Sequence, residues 1–171
     1  ARTTLICAAN PCRCGYFLDQ PGKCTCTPKQ IQQYLSRLSG PLLDRLDIHI
    51  EVSPVKYAEL ESDKNVESSL AIRERVERTR KIQLDRYKGL NIYSNSQLQP
   101  AMFAKFCRLD KKCRSILRDV FDRLGMSARA HSRILKVART IADMDMSEDI
   151  KPVHLTEAIQ YRSLDRKAWN I

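Results

Sequence analysis

The chain has 171 residues, of which 43% are hydrophobic, and it carries a net charge of +10. This length suits one ordinary domain or two small ones, and the apolar fraction is sufficient for a packed core. No stretch reaches the roughly 18 apolar residues that a membrane span needs. The positive charge favours polyanions such as nucleic acid, nucleotide phosphates or acidic membranes, although it can also serve only to keep the surface soluble.

The first 53 residues are predicted to form an incomplete α/β unit. Residues 3–9 are a continuous apolar run, typical of a strand that is covered on both faces in a parallel sheet. Thr27 is placed to cap a short helix, and residues 46–52 alternate apolar and polar side chains, as a half-buried strand does. Because two strands and one helix cannot bury a sheet, we expect the rest of the α/β domain to lie upstream of this sequence.

The remaining residues, 66–171, are predicted to form an all-helical bundle, joined to the first unit by a polar linker over 54–65. Asp110 and Ser127 are placed to cap two of the helices, and Gly125 to end one. The predicted helices cover 66–88, about 100–107, 111–124, 128–144 and about 152–162. The predicted fold is thus an α/β fragment followed by a helical bundle, and it is mainly α.

A cluster of cysteines directly follows the first predicted strand. Four of the seven cysteines form two Cys-x-Cys pairs, Cys12/Cys14 and Cys24/Cys26. Zinc prefers four thiolates in a tetrahedron, and the glycines and proline between the pairs allow the bends that such a site needs. A reduced loop with ordinary thiols, disulfides or an iron–sulfur cluster are the alternatives. A four-thiolate zinc would be structural, because it leaves no position open for water.

The number and distribution of the cysteines also bear on the compartment. Seven is an odd number, and Cys107 and Cys113 lie in predicted helices. This distribution argues against a secreted disulfide framework and predicts a reducing, cytoplasmic setting.

Four polar residues are candidates for contacts to an anion. Asn10 follows the first predicted strand, where ligands collect in α/β sheets, although Asn before a proline is also a common turn residue. Arg45 precedes the second predicted strand, and it either reaches a phosphate or pairs with a neighbouring aspartate. Arg129 lies in the first turn of a predicted helix, where the helix dipole disfavours a cation, and Arg133 follows on the same face. A solvated helix face is the alternative for these two.

The chain has no catalytic triad, no acid pair and no Gly-rich phosphate loop, but two long stretches resemble a known family. The first runs from "AANPCRCGY" to "CTCTPKQIQQYLSRLSGPLLDRLDIHIEV", and the second is "LDKKCRSILRDVFDRLGMSARAHSRILKVARTIADMD" with "VHLTEAIQYR". Both resemble the Mg-chelatase-like AAA+ ATPases of the ComM/YifB branch. The resemblance implies the C-terminal part of an AAA+ core over 1–53, followed by a helical lid domain. The Walker A and Walker B segments would lie upstream.

The resemblance also implies roles for individual residues. Asn10 matches sensor 1, Arg45 in "LLDRLD" matches the arginine finger, and Arg129 in "SARAHSRIL" matches the sensor 2 arginine. Arg133 is predicted as a further nucleotide contact from its place on the same helix face as Arg129, not from the resemblance. ATP and Mg²⁺ would be the cofactors of the full-length protein, together with structural Zn²⁺ at the four cysteines. The Cys-x-Cys loop is the feature that points to the ComM/YifB branch.

The function implied by this resemblance is ATP hydrolysis in a hexameric ring that acts on DNA without sequence preference, as a branch-migration motor. A fragment without Walker motifs is not expected to hydrolyse ATP alone. One alternative is the ATPase subunit of magnesium chelatase, which inserts the metal into a porphyrin; the cysteine loop argues against it. Another is a non-enzymatic, zinc-containing nucleic-acid-binding module, which the incomplete sheet argues against.

Overall fold

The structure is a computed structural model that describes residues 3–17, 21–55, 57 and 67–162. Its α-helices are α1 (Pro28–Leu35), α2 (Gly40–Leu43), α3 (Ser69–Arg86), α4 (Pro100–Phe106), α5 (Lys111–Leu124), α6 (Ala128–Met144) and α7 (Pro152–Gln160). Short 3₁₀ turns cover Pro21–Lys23 and Asn95–Gln97. Over these residues the protein is mainly helical. None of the described helices combines the length and the hydrophobicity needed to cross a membrane.

The two predicted strands are not formed among the described residues, so the mainly helical part of the predicted fold is shown and its α/β part is not. Residues 3–10 and 48–55 have no regular secondary structure, and Ile6 and Val52 are 90% and 85% exposed. A strand needs a neighbouring strand to pair its backbone N–H and C=O groups in a ladder, and the described residues supply no such strand along either segment. Alternation and apolarity alone therefore do not make a sheet here.

The predicted linker is described only in part. Residues 54, 55 and 57 are exposed, whereas 56 and 58–65, including the "ESDKN" segment, lie outside the described residues. The predicted start of the long helix at 66 lies outside them as well, and so do the last residues, 163–171. The described helix α3 begins at Ser69, after a side-chain cap by Ser68.

The capping signals of the helical part are confirmed. The carboxylate of Asp110 accepts a hydrogen bond from the Cys113 N–H at 2.6 Å, and Ser127 Oγ accepts one from the Ala130 N–H at 3.1 Å. Gly125 ends α5 with a φ of 49°, a left-handed conformation that glycine adopts without strain. These caps satisfy backbone groups that a helix end leaves unpaired, so they set where α5 ends and α6 begins.

The core of the bundle lies around α6. Its inward face buries Ile134, Ala138 and Ala142, which repeat at helical spacing. Leu117 of α5 and Leu155 of α7 complete this cluster from two sides. An isolated parallel bridge between the residues preceding α5 and α7 ties the two helix starts together.

A buried polar network attaches the highly charged helix α3 to α6. Arg86 donates to both carboxylate oxygens of Asp143, one of them at 2.7 Å, and Arg139 Nε donates to the same carboxylate at 3.1 Å. Asn95 Nδ2 adds a hydrogen bond to Asp143 at 2.8 Å. Because α3 buries only Thr79 and Gln83, its attachment relies on these polar contacts.

Replacing Asp143 by alanine is expected to lower the free energy of unfolding by about 3 kcal/mol, because two guanidinium groups lose a buried partner. Urea unfolding followed by circular dichroism measures this difference. The matched control is Glu67→Ala, which removes an exposed ion pair with Arg75 and is expected to cost less than about 1 kcal/mol. If the two substitutions lowered the free energy of unfolding equally, the structural role assigned to the buried Asp143 network would be contradicted.

Candidate functional site

The cysteine loop packs against the first helix. Cys12 is fully buried and contacts the apolar face of α1, which includes Ile31. α1 begins directly after Cys26, where a reciprocal pair of hydrogen bonds caps it. The Thr27 N–H donates to Gln30 Oε1 at 2.9 Å, and the Gln30 N–H donates to Thr27 Oγ1 at 3.3 Å. The second Cys-x-Cys pair therefore leads into the positive end of a helix dipole, which favours thiolates.

The four sulfur atoms converge on one point. All of them lie within 4.8 Å of one another. The Sγ–Sγ distances are 3.3 Å for Cys12–Cys14, 3.5 Å for Cys14–Cys24 and 3.9 Å for Cys12–Cys24. A tetrahedral zinc with Zn–S bonds of about 2.3 Å separates its sulfurs by about 3.8 Å, so the cluster fits this metal. All seven cysteines are free thiols, which argues against the disulfide alternative.

Backbone N–H groups surround the sulfurs and stabilise their negative charge. The Tyr16 N–H, with smaller contributions from neighbouring groups, lowers the pKa of Cys14 to about 6. The Cys26 N–H lowers the pKa of Cys24, but burial and the neighbouring thiols outweigh it and raise that pKa to about 11. Four clustered thiols resist ionising together, and a bound cation is what allows them all to become thiolates.

Asn10 lies next to this loop rather than at the end of a strand. It is exposed, and it directly precedes a turn in which the Gly15 N–H donates to the Cys12 carbonyl at 3.1 Å. Gly15 has a φ of 85°, which favours glycine, and a Cβ placed there would lie 4.0 Å from Asn10 Nδ2. The turn therefore links the position of Asn10 to the first Cys-x-Cys pair.

Arg45 and Arg129 present their guanidinium groups at the surface. Arg45 follows α2, and its Nη1 donates to the Pro41 carbonyl at 3.0 Å. Arg129 lies in the first turn of α6 and is exposed. Among the residues that the structure describes, neither arginine forms an ion pair.

The aspartates on both sides of Arg45 are engaged with other partners. Asp47 pairs with Arg133 of α6. Asp44 accepts hydrogen bonds from Ser127 Oγ at 3.0 and 3.1 Å, and its Oδ1 lies 3.4 Å from the guanidinium of Arg162. Neither of the aspartate pairings considered for Arg45 is therefore formed.

The structure brings some of the predicted residues together and leaves others apart. Arg45 and Arg129 lie on adjoining elements, since Asp44 next to the first contacts Ser127, two residues before the second. The four cysteines converge as predicted, with Asn10 beside them. Arg133, predicted to contact nucleotide, forms an ion pair with Asp47.

Sequence reasoning missed the contribution of Arg162. Its guanidinium donates to the Leu46 carbonyl, which is 116 residues away in the chain. A side chain that binds a backbone carbonyl at this separation leaves no local pattern, so no periodicity or spacing could have indicated it. Asp44 and Asp47 did stand out in "LLDRLD", but only as partners of Arg45.

Comparison with known families assigns both parts of the chain. The family described as "Magnesium chelatase, subunit ChlI C-terminal" matches residues 66–162. The family described as "Magnesium chelatase, subunit ChlI" matches residues 1–60.

Individual relatives agree with this assignment. Competence protein ComM of Haemophilus influenzae is 39% identical over 168 residues, which are 97% of this chain and 32% of the relative. The uncharacterised protein YifB of Escherichia coli K12 is 40% identical over the same shares of both chains. An uncharacterised protein of Mycobacterium tuberculosis is 32% identical over 84% of this chain and 28% of its own length. The chain thus spans about a third of the length of these relatives, and it belongs to the magnesium chelatase subunit ChlI family, with ComM and YifB as relatives.

Proposed function

We propose that this chain supplies the nucleotide-responsive arginines of a ring-shaped AAA+ ATPase that acts on DNA. The observation that carries the proposal is the pair of exposed guanidinium groups, Arg45 and Arg129, on two adjoining elements. The acids nearest to Arg45 are neutralised by other cations, so its charge remains available to an external anion. Phosphoryl transfer needs such charge near the γ-phosphate, and planar guanidinium suits phosphate oxygens.

In this proposal each residue has a separate role. Arg45 reaches a triphosphate bound by the neighbouring subunit and stabilises charge that develops in the transition state. Arg129 contacts the phosphates of bound nucleotide, and Asn10 holds the attacking water. A nucleotide contact by Arg133 would require its ion pair with Asp47 to open. ATP and Mg²⁺ are cofactors of the full-length protein, in which 1–53 completes the ATPase core, 54–65 is a linker and 66–171 is the helical domain.

The four cysteines hold a structural zinc in this proposal. Cys12, Cys14, Cys24 and Cys26 supply four thiolates, which complete the coordination of the metal and leave it no part in hydrolysis. The metal cross-links the loop to the start of α1 and supports the turn that directly follows Asn10.

The proposed substrate along which the motor moves is DNA, which it binds without sequence preference. The net charge of +10 supports this choice, since each neutralised phosphate releases counterions. One relative of this chain is named competence protein ComM, but the proposal of DNA as substrate does not rest on that name.

ATPase and DNA-binding assays on the full-length protein test the proposal. DNA is expected to stimulate ATP hydrolysis, and this chain alone is expected to hydrolyse none. A site that neutralises about four phosphates should lose roughly 100-fold in affinity between 50 and 200 mM salt. An intact ring that hydrolyses ATP, ignores DNA and inserts Mg²⁺ into a porphyrin would support the chelatase alternative instead.

A further inference from the structure

The segment that carries Arg45, residues 44–49, is attached to the helical bundle at several points. Asp44 contacts Ser127 at the start of α6, and Asp47 pairs with Arg133, six residues further along the chain in the same helix. At the end of α7, the His49 N–H donates to the Tyr161 carbonyl at 2.8 Å. These contacts come from the start of α6 and the end of α7, and they engage three positions of the segment.

A buried arginine completes the attachment. Arg162 is 1% exposed, and its guanidinium donates to the Leu46 carbonyl and faces Asp44. His49, at the end of the segment, is 8% exposed, and its Nε2 lies 3.2 Å from the Leu43 carbonyl. The hydrogen bonds made by Arg162 and His49 are thus largely protected from water, which strengthens them, whereas the contact between Asp44 and Ser127 is exposed.

The attachment is polar rather than hydrophobic. Ile48 and Ile50 point their side chains to solvent, at 48% and 66% exposure. Hydrophobic burial is non-directional, whereas hydrogen bonds and ion pairs fix distance and angle. Contacts of this kind are suited to setting the position of the segment relative to α6.

We propose that Asp44 and Asp47 are positioning residues that hold Arg45 at a fixed position relative to Arg129. The two arginines then approach a bound triphosphate as one unit instead of moving independently. The roles of Arg45 and Arg129 rest on the proposed function, whereas the attachment itself rests only on the contacts described. Catalytic groups need positions accurate to fractions of an ångström, and a displacement of about 1 Å can cost 100-fold in rate.

A charge-swap cycle in the full-length protein tests the functional step. Asp47→Arg and Arg133→Asp each place like charges side by side, and each is expected to lower kcat for ATP hydrolysis roughly tenfold with little change in KM. The double variant restores the attraction and is expected to recover most of kcat. If Arg133 contacts the nucleotide instead, KM rises and the double variant stays inactive, which overturns the proposal. The matched control is the swap Glu67→Arg with Arg75→Glu, an exposed pair on α3 that is expected to leave kcat unchanged.

Hydrogen exchange on the same proteins provides a readout that is independent of ATP hydrolysis. Amides of residues 44–49 are expected to exchange roughly tenfold faster in Asp44→Ala and Asp47→Arg, since the segment detaches locally. Asp44→Asn keeps an acceptor for Ser127 and is expected to restore most of the protection. Unchanged exchange in Asp44→Ala and Asp47→Arg would disprove the attachment.

The two experiments also separate failure of this inference from failure of the proposed function. Suppose that Arg45→Ala loses activity while Asp47→Arg shows faster exchange but a normal kcat. This result would overturn the positioning role of Asp47 and would leave the proposed catalytic role of Arg45 intact. Full activity in Arg45→Ala would overturn the proposed function and, with it, the proposal that Asp44 and Asp47 position Arg45 relative to Arg129. The exchange data would still report whether residues 44–49 are attached to the bundle.

Discussion

Replacing Arg45 by alanine in the full-length protein is expected to lower the rate of ATP hydrolysis by roughly 10³-fold or more, while nucleotide binding changes only a few-fold. An arginine supplied to a neighbour's site acts mainly on charge that develops in the transition state, so its loss reduces kcat more than affinity. Steady-state kinetics together with equilibrium binding of a fluorescent ATP analogue measure both quantities.

The surroundings of Arg45 allow its charge to be removed with little effect on the fold. The side chain is exposed, and the one hydrogen bond that the structure gives it goes to the Pro41 carbonyl, so alanine should not disturb the fold. Arg73→Ala removes the same charge from the exposed face of α3 and serves as the matched control. Arg45→Lys should remain impaired, because a lysine ammonium cannot make the planar, two-point contact of guanidinium. Retained turnover in Arg45→Ala would rule out the finger role.

Variant subunits also test the direction in which Arg45 acts. If it serves the neighbouring subunit's nucleotide, Arg45→Ala subunits mixed into wild-type rings should impair sites that are otherwise intact. Within such a mixed ring, a wild-type subunit is inactive whenever its neighbour carries the substitution. Activity that falls only in proportion to the fraction of variant would indicate that the residue acts within its own subunit.

Loss of the metal is expected to unfold the cysteine loop and α1 while the helical bundle stays folded. A four-thiolate zinc contributes on the order of 10 kcal/mol to the folding of its surroundings. The loop and α1 cannot replace that contribution, because their apolar cluster is small, with Cys12, Ile31 and Leu35 as its buried members. The core around α6 contains none of the four clustered cysteines.

Metal analysis and hydrogen exchange check this second prediction. The purified protein should contain one zinc per chain, and a strong chelator or Cys12→Ser should release it. Exchange should then rise over residues 10–35 and stay slow over residues 128–160. Cys7→Ser alters an exposed cysteine outside the cluster and should retain the full zinc content. Zero or two zinc ions per chain in the unaltered protein would contradict a single four-thiolate site.

The helical bundle was largely predictable because its signals are local. Asp110, Ser127 and Gly125 each act on backbone groups within a few residues, so a reader of the sequence sees both partners of each contact. The buried face of α6 is equally local, since side chains four residues apart share a face. The cysteine cluster was predictable for a related reason, because its two Cys-x-Cys pairs both lie within residues 12–26 of the chain.

The sheet could not be predicted from the two strand-like segments. Residues 3–9 and 46–52 carry the right side-chain patterns, but strand formation depends on a partner elsewhere in the chain. The described residues contain no strand that pairs with either segment, and both remain without regular structure.

Residue types and short spacings alone were enough to specify the helix ends, the bundle's inward faces and the four cysteines of the candidate metal site, since the interacting groups are neighbours in the chain. Three features emerged only in three dimensions: the distances among the four sulfurs, the Asp143 network, and the attachment of the Arg45 segment to α6 and α7. Arg162 and the Leu46 carbonyl are separated by 116 residues, and a chain must close that loop before the contact can exist. Contacts between residues so far apart in the chain depend on how whole helices and segments pack, which no local sequence pattern encodes.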